Sequence, residues 1–263
     1  MRKFILNFGI MITGVYMCAS CNLISSAGFN DKGLPTPDAE KIEQFHNSTK
    51  IDHSIWDELL KAHVKKDGKV DYQGFKKDRF KLDLYLNKLS GLKPDGTWSR
   101  AEILAYYINL YNAYTVDFIL QHYPVASIKD ISGAWTREFI KIGDVKISLG
   151  GIENSLLRKM EEPRIHFAIN CASISCPKLL NEAYTPEKLE EQLEKVTAEF
   201  INSNENQITP DSVKLSSIFD WYKSDFTQNG SLIDYLNKYS EVRINSAARI
   251  SYNDYNWALN DSK

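Results

Sequence analysis

The sequence contains one long segment that is apolar on nearly every side, SRAEILAYYINLYNAYTVDFIL, residues 99–120. Ser99 and Glu102 have the spacing of a capping box, in which each side chain pairs with a backbone N–H at the start of a helix. Tyr123-Pro124 ends the pattern, because a residue that precedes proline avoids the helical conformation. We therefore predict a long, buried central helix.

A narrow polar stripe runs along this helix. Projected at about 100° per residue, Glu102, Asn109 and Asn112 fall within roughly a quarter turn of one another. These side chains need partners, since an unpaired buried polar group costs about 1 to 3 kcal/mol. Two interpretations stay open: the side chains orient a functional site, or they bond the backbone of a neighbouring loop and fix the fold.

The N-terminus has the pattern of an export signal. A short basic start is followed by an apolar run over residues 4–17 and by Cys18-Ala19-Ser20-Cys21, which resembles a bacterial lipoprotein signal. We predict a signal peptide over residues 1–20, a lipidated Cys21 that attaches the chain to a membrane, and a location in the bacterial cell envelope outside the cytoplasm. An uncleaved anchor is the alternative, although a spanning helix needs about 20 apolar residues.

The rest of the chain is predicted to form one domain behind a linker. Residues 21–48 are rich in Ser, Gly, Asn, Pro and Lys, which is typical of a flexible tether. Residues 49–263 contain no second linker and no repeat, and a body of this size can bury a core as a single domain. The net charge of −2, with both signs mixed, leaves no basic stripe and argues against a nucleic-acid partner.

Local patterns predict an α+β fold that is mostly helical, with the long buried central helix packed on a small antiparallel sheet. Alternating residues around Gly143-Asp144 predict a hairpin. Further elements are predicted from capping, proline and periodicity signals: helices over residues 54–64, 80–90, 149–160 and 231–239, a helix that begins at Thr185-Pro186, and strands over residues 164–170 and 249–252.

The residues with the strongest chemical signal lie in RIHFAINCASISCP, residues 164–177. This segment holds both thiols that remain once the signal peptide is removed and Cys21 is acylated. As a nucleophile, Cys171 or Cys176 needs a base such as His166 to form a thiolate near neutral pH, and the base needs an orienting group. On a strand, His166 can face the polar stripe of the central helix. The candidate catalytic residues are Cys171, His166, Cys176, Asn109, Asn112 and Glu102.

Other interpretations of this loop remain open. Cys171 and Cys176 can form a disulfide, because oxidation is expected in an exported protein and five residues can span the required distance. His166 and the two cysteines supply three metal ligands, but no fourth ligand is nearby and the spacing matches no standard zinc pattern. The cysteines can also be inert. No bound cofactor or metal is predicted.

Five separated blocks resemble the domain-of-unknown-function family 547: residues 105–113, 148–158, 166–177, 219–226 and 255–260. The resemblance covers nearly the whole chain after the tether and implies no settled activity. It implies bacterial secreted and lipoprotein relatives, and plant relatives joined to glutaredoxin-like segments. The plan is also loosely similar to papain-like and transglutaminase-like enzymes, in which the nucleophilic cysteine begins the central helix. Residues 99–102 hold that place here and include no cysteine.

Two functions follow from these patterns. The first is a thiol-dependent hydrolase or acyl transferase that acts on a peptide, amide or cell-envelope substrate. The second is a non-catalytic, lipid-anchored module that holds a peptide or glycan on an aromatic surface, with a structural or redox Cys171–Cys176 disulfide. That surface includes Trp135, Trp221, Tyr222 and Trp257.

Overall fold

A computed structural model describes residues 29–37 and 51–263. The predicted central helix is α4, Arg100–His122, and nearly all of its side chains are buried. The predicted capping box is present: Ser99 Oγ accepts the N–H of Glu102 at 3.2 Å, and Glu102 Oε2 accepts the N–H of Ser99 at 2.8 Å. The other elements of the body are arranged around this helix.

Three helices precede α4 and cover one side of it: α1 (Ser54–His63), α2 (Tyr72–Lys77) and α3 (Arg79–Ser90). They pack through large rings, such as Trp56, which stacks on Tyr85 with ring centroids 5.7 Å apart. The helix predictions for residues 54–64 and 80–90 are confirmed.

After α4, a 3-10 turn (Ile128–Asp130) leads into a hairpin of β1 (Ile140–Ile142) and β2 (Val145–Ile147). Gly143 takes φ +59° in the turn, a conformation that favours glycine. Ser148 then caps α5 (Leu149–Gly151), which continues into a π-helical segment, Ile152–Leu157, and a 3-10 turn, Arg158–Met160. We call Ile152–Leu157 the π segment. The hairpin and the helical stretch over 149–160 are confirmed.

The strand predicted over residues 164–170 is wrong. Residues Ile165–Ala168 form a short helix, α6, because the N–H groups of His166, Phe167 and Ile169 bond carbonyls three or four residues earlier. Alternating apolar residues in a run this short do not separate a strand from a buried helical turn. The apolar side of α6 packs against α7, Leu189–Ile201.

The C-terminal part adds three short helices and a small sheet: α8 (Ile218–Trp221), α9 (Lys223–Phe226), α10 (Leu232–Leu236), β3 (Gln207–Ile208), β4 (Ser212–Leu215) and β5 (Arg249–Tyr252). Strands β3 and β4 are antiparallel, whereas β4 and β5 are parallel because the chain crosses back through α8–α10. The α+β class is confirmed, and the sheet contains one parallel pair.

Part of the predicted tether is packed on the domain. Leu34 is buried in the core, the Tyr107 hydroxyl donates to the carbonyl of Pro35 at 3.0 Å, and Arg100 donates to the carbonyl of Pro37 at 3.0 Å. Residues 29–37 therefore belong to the folded body. The predicted signal peptide, Cys21 and the rest of the tether lie outside the described residues. Within residues 29–37 and 51–263, no helix is long and apolar enough to span a membrane.

Candidate functional site

A cleft of about 360 Å³ is lined by both cysteines, His166 and a group of aromatic rings. We call it the thiol cleft. Its walls come from α4, the π segment, α6 with the following loop, α8, and the C-terminal residues around Tyr255. The rings at its edge are only partly buried: Trp135, Trp221, Tyr222, Tyr255 and Trp257.

The two asparagines of α4 fix backbone rather than contact a thiol. Asn112 Nδ2 donates to the carbonyl of Ala168 at 2.9 Å, and its Oδ1 accepts the N–H of Asn170 at 2.8 Å. Asn109 makes the same pair of bonds to Tyr184, at 2.7 Å to the carbonyl and 3.1 Å from the N–H. Of the two interpretations left open by the sequence, the structure shows the backbone-bonding one. Glu102 caps the start of α4.

The cysteine-bearing loop, residues 169–177, is held from the other side by the C-terminal segment. The N–H of Ile174 donates to the carbonyl of Ala258 at 2.9 Å, and the N–H of Asn260 donates to the carbonyl of Ala172 at 3.1 Å. This pairing places Tyr255 beside Cys171. The loop is therefore clamped between α4 and the chain's last residues.

Both thiols are free and lie side by side. The Sγ atoms of Cys171 and Cys176 are 3.2 Å apart, well beyond the roughly 2.05 Å of a disulfide bond. Cys171 Sγ also lies 3.2 Å from Ser173 Oγ and 3.4 Å from Tyr255 Oη. The disulfide interpretation of the sequence is not what the structure contains.

The two thiols differ in pKa, and hydrogen bonding is one cause of the difference. The contact with Cys176 is the main cause that lowers the pKa of Cys171 to about 7, and the hydroxyls of Ser173 and Tyr255 lower it further, while burial opposes them. Burial and the neighbouring Cys171 raise the pKa of Cys176 well above its usual range. The pair therefore carries its first negative charge on Cys171, and Cys176 keeps its proton.

The structure pairs His166 with a carboxylate instead of a thiol. Its Nε2 lies 2.8 Å from Asp225 Oδ2, and its ring stacks on Tyr222 with centroids 3.9 Å apart. Asp225 also receives two bonds from Arg158, at 2.6 and 2.7 Å. Burial raises the pKa of Asp225, but the bonds from Arg158 and His166 outweigh it and hold that pKa well below its ordinary value. The fixed imidazole lines the cleft, and its Nδ1 has no hydrogen-bond partner among the described residues.

Sequence reasoning missed an acidic residue that lines the cleft. Glu153, in the π segment, is buried and accepts a hydrogen bond from the Tyr222 hydroxyl. Burial, followed by the charge of Glu153, raises the pKa of Tyr222 well above its usual range. Arg158, Asp225 and Tyr255 were missed as well, although all of these residues lie in sequence blocks that carried the family resemblance. Across the part of the chain that the structure describes, no group of three or more His, Cys, Asp or Glu side chains could hold a metal ion.

The family model described as "Protein of unknown function, DUF547" matches residues 96–201. The matched segment contains α4, the π segment and the cysteine-bearing loop, whereas Tyr222, Asp225 and Tyr255 lie beyond it. No curated protein and no solved structure matches the chain. The papain-like or transglutaminase-like plan therefore stays a prediction.

Proposed function

Since residues 96–201 belong to the DUF547 family, whose description names no reaction, we propose a function from the site itself: a cysteine-dependent acyl-transfer enzyme. In this proposal it is a hydrolase or acyl transferase that acts on a peptide, amide or cell-envelope substrate. Cys171 is the nucleophile.

The observation that carries the proposal is the set of polar groups around Cys171 Sγ. Cys176 Sγ, Ser173 Oγ and Tyr255 Oη all lie within 3.4 Å of it, at the wall of an open cleft. A thiolate is the reactive form of cysteine, and donors that stabilise it also make it a better leaving group in the second half of an acyl transfer. The volume of about 360 Å³ lies within the range of small-ligand sites.

The substrate's location follows from the N-terminal sequence. The proposal places the chain in the bacterial cell envelope, anchored to the membrane through a lipidated Cys21, and the support is the signal-like pattern of residues 1–21. Labelling of expressing cells with a radioactive fatty acid tests this: the protein should carry the label, and Cys21→Ala should lose it. An equally labelled Cys21→Ala variant would contradict the anchor.

A specific observation also favours the binding-module alternative. Trp221 stacks on Trp257 with centroids 5.7 Å apart, and Tyr255 lies 4.5 Å from Trp257. Partly exposed rings of this kind offer contact area for a peptide or glycan. In that alternative the cleft binds its ligand without any covalent step.

Two experiments, alkylation of the thiols and cleavage of an ester, distinguish the enzyme proposal from the binding module. The enzyme proposal expects iodoacetamide to label Cys171 with a midpoint near pH 7, and p-nitrophenyl acetate to release about one equivalent of p-nitrophenolate in a burst. Cys171→Ser should lose the burst. Cys176→Ser is the matched control, because its hydroxyl keeps a donor beside Cys171, and it should retain labelling at Cys171. A burst that persists in Cys171→Ser, or labelling of Cys171 only above pH 8, would contradict the enzyme proposal and favour the binding module.

A further inference from the structure

We propose that Glu153 is a further catalytic residue, the general base that activates water to hydrolyse an acyl group carried on Cys171. This inference rests on the proposed acyl-transfer function. It replaces His166, which the sequence suggested as the base.

The position of Glu153 is the first argument. Its side chain lines the thiol cleft although the residue is only 5% exposed, and the π segment that carries it is a rare backbone form that is frequent at functional sites. The Tyr222 hydroxyl donates to Glu153 Oε1 and thereby orients the carboxylate. This bond leaves Oε2 able to accept a proton from water.

The alternative bases are His166, which lines the cleft, and its partner Asp225. His166 is bonded to Asp225 and stacked on Tyr222, and Asp225 is held by two bonds from Arg158. To act as a base, Asp225 would have to give up its charged partners. His166 Nδ1 has no hydrogen-bond partner among the described residues, but it is closed to solvent and so to the attacking water. Glu153 is bonded to a neutral hydroxyl, and it is close enough to Cys171 for its negative charge to raise the pKa of that thiol.

The chemical step balances without any further reagent. The thioester between Cys171 and the acyl group is attacked by the oxygen of a water molecule while Glu153 takes one of the two water protons. The new C–O bond forms, the C–S bond breaks, and the electron pair stays on Cys171 Sγ as a thiolate beside the Cys176 thiol and the Tyr255 hydroxyl. The released carboxylic acid and Glu153 then lose their protons to solvent.

The experiment uses p-nitrophenyl acetate, whose leaving group departs without a proton. Acylation of Cys171 therefore needs no base, whereas deacylation does. Glu153→Gln should keep the burst of about one p-nitrophenolate per chain and lose steady-state turnover by roughly 100-fold or more, which is the size of a general-base contribution. Mass spectrometry should find an acetyl group accumulated on Cys171. Glu153→Asp, which keeps a carboxylate, should recover part of the turnover.

The control is Glu191→Gln, the same change at an exposed glutamate in the first turn of α7, which should behave as wild type. Turnover in Glu153→Gln at the wild-type rate would overturn the inference, and so would a folded Glu153→Gln variant that alkylates at Cys171 but shows no burst. If Glu153→Gln fails to fold, Glu153→Asp decides: reduced turnover with an acetyl group accumulated on Cys171 supports the role, and wild-type turnover or loss of the burst opposes it. A wild-type protein without a Cys171-dependent burst would remove the proposed function, and this inference with it.

Discussion

At Cys171 the charge of the site depends on one neighbouring thiol. Cys176 Sγ lies 3.2 Å away and is the main cause that lowers the pKa of Cys171 to about 7. Cys176→Ala removes this donor, so we expect the midpoint for alkylation of Cys171 by iodoacetamide to rise by one pH unit or more, toward the ordinary thiol value of about 8.5. Cys176→Ser keeps a hydroxyl donor and should shift the midpoint less. An unchanged midpoint in the alanine variant would show that Cys176 does not set the charge of Cys171.

Sequence reasoning predicted the loop that carries the proposed nucleophile, as Cys171 or Cys176, but not the partners of its side chains. The loop that carries both cysteines and His166 was predictable, because the three residues lie within one short motif. The partner of His166 is 59 residues away, and Tyr255 is 84 residues from Cys171. Contacts over such separations are created by tertiary packing, and a single sequence holds no local signal for them.

Among the elements, α4 has a second role besides filling the core. Through Asn112 it bonds the carbonyl of Ala168 and the N–H of Asn170, directly before the cysteines. The polar stripe of the central helix was predictable from periodicity, and so was the need of its amides for partners. Which of the two interpretations holds depends on where the loop packs, which periodicity does not specify.

Asn112→Ala tests this role of α4. It leaves two buried backbone groups without partners, at about 1 to 3 kcal/mol each, so we expect the free energy of unfolding to fall by roughly 2 to 4 kcal/mol. Urea unfolding measures the loss. Asn87→Ala, the same change at an exposed asparagine of α3, should not lower stability. Equal stability of the two variants would mean that the loop does not depend on Asn112.

Element type was predicted best where the pattern was long. α1, α3 and α4 follow from apolar spacing over ten or more residues, and α4 also has the predicted side-chain cap. The strand predicted over residues 164–170 failed because its apolar residues also fit the short helix α6. The π segment has no sequence signature of its own, so the placement of Glu153 in the cleft could not be predicted.

At the scale of the whole molecule, the site is assembled from both halves of the body. The segment that matches the family supplies Glu153, His166 and the cysteine-bearing loop, while α8, α9 and the C-terminal segment supply Tyr222, Asp225 and Tyr255. The charge of the cleft and its opening to solvent therefore depend on both the family-matching segment and the C-terminal elements. We expect the free energy of unfolding to depend on pH through His53, which does not line the cleft.

His53 is buried beside α3, with 4% of the residue exposed, and its Nδ1 lies 2.6 Å from the Tyr85 hydroxyl. Its Nε2 has no hydrogen-bond partner among the described residues. Burial lowers the pKa of His53 from 6.5 to about 4. The folded protein therefore holds a neutral imidazole at a pH where the unfolded chain is already protonated.

The sign of the pH effect follows from this difference. Above pH 6.5, His53 is neutral in both the folded and the unfolded state, so its titration does not change the free energy of unfolding. Between pH 6.5 and pH 4, His53 takes up a proton in the unfolded state only, and stability falls. Lowering the pH from 7.5 to 5.0 should reduce the free energy of unfolding by about 2 kcal/mol through His53 alone. Urea unfolding at the two pH values, in wild type and in His53→Gln, measures this term, because titration of the other groups is common to both proteins. The variant should lose about 2 kcal/mol less than wild type between the two pH values, and an identical loss in both would show that the folded state accepts a proton at His53.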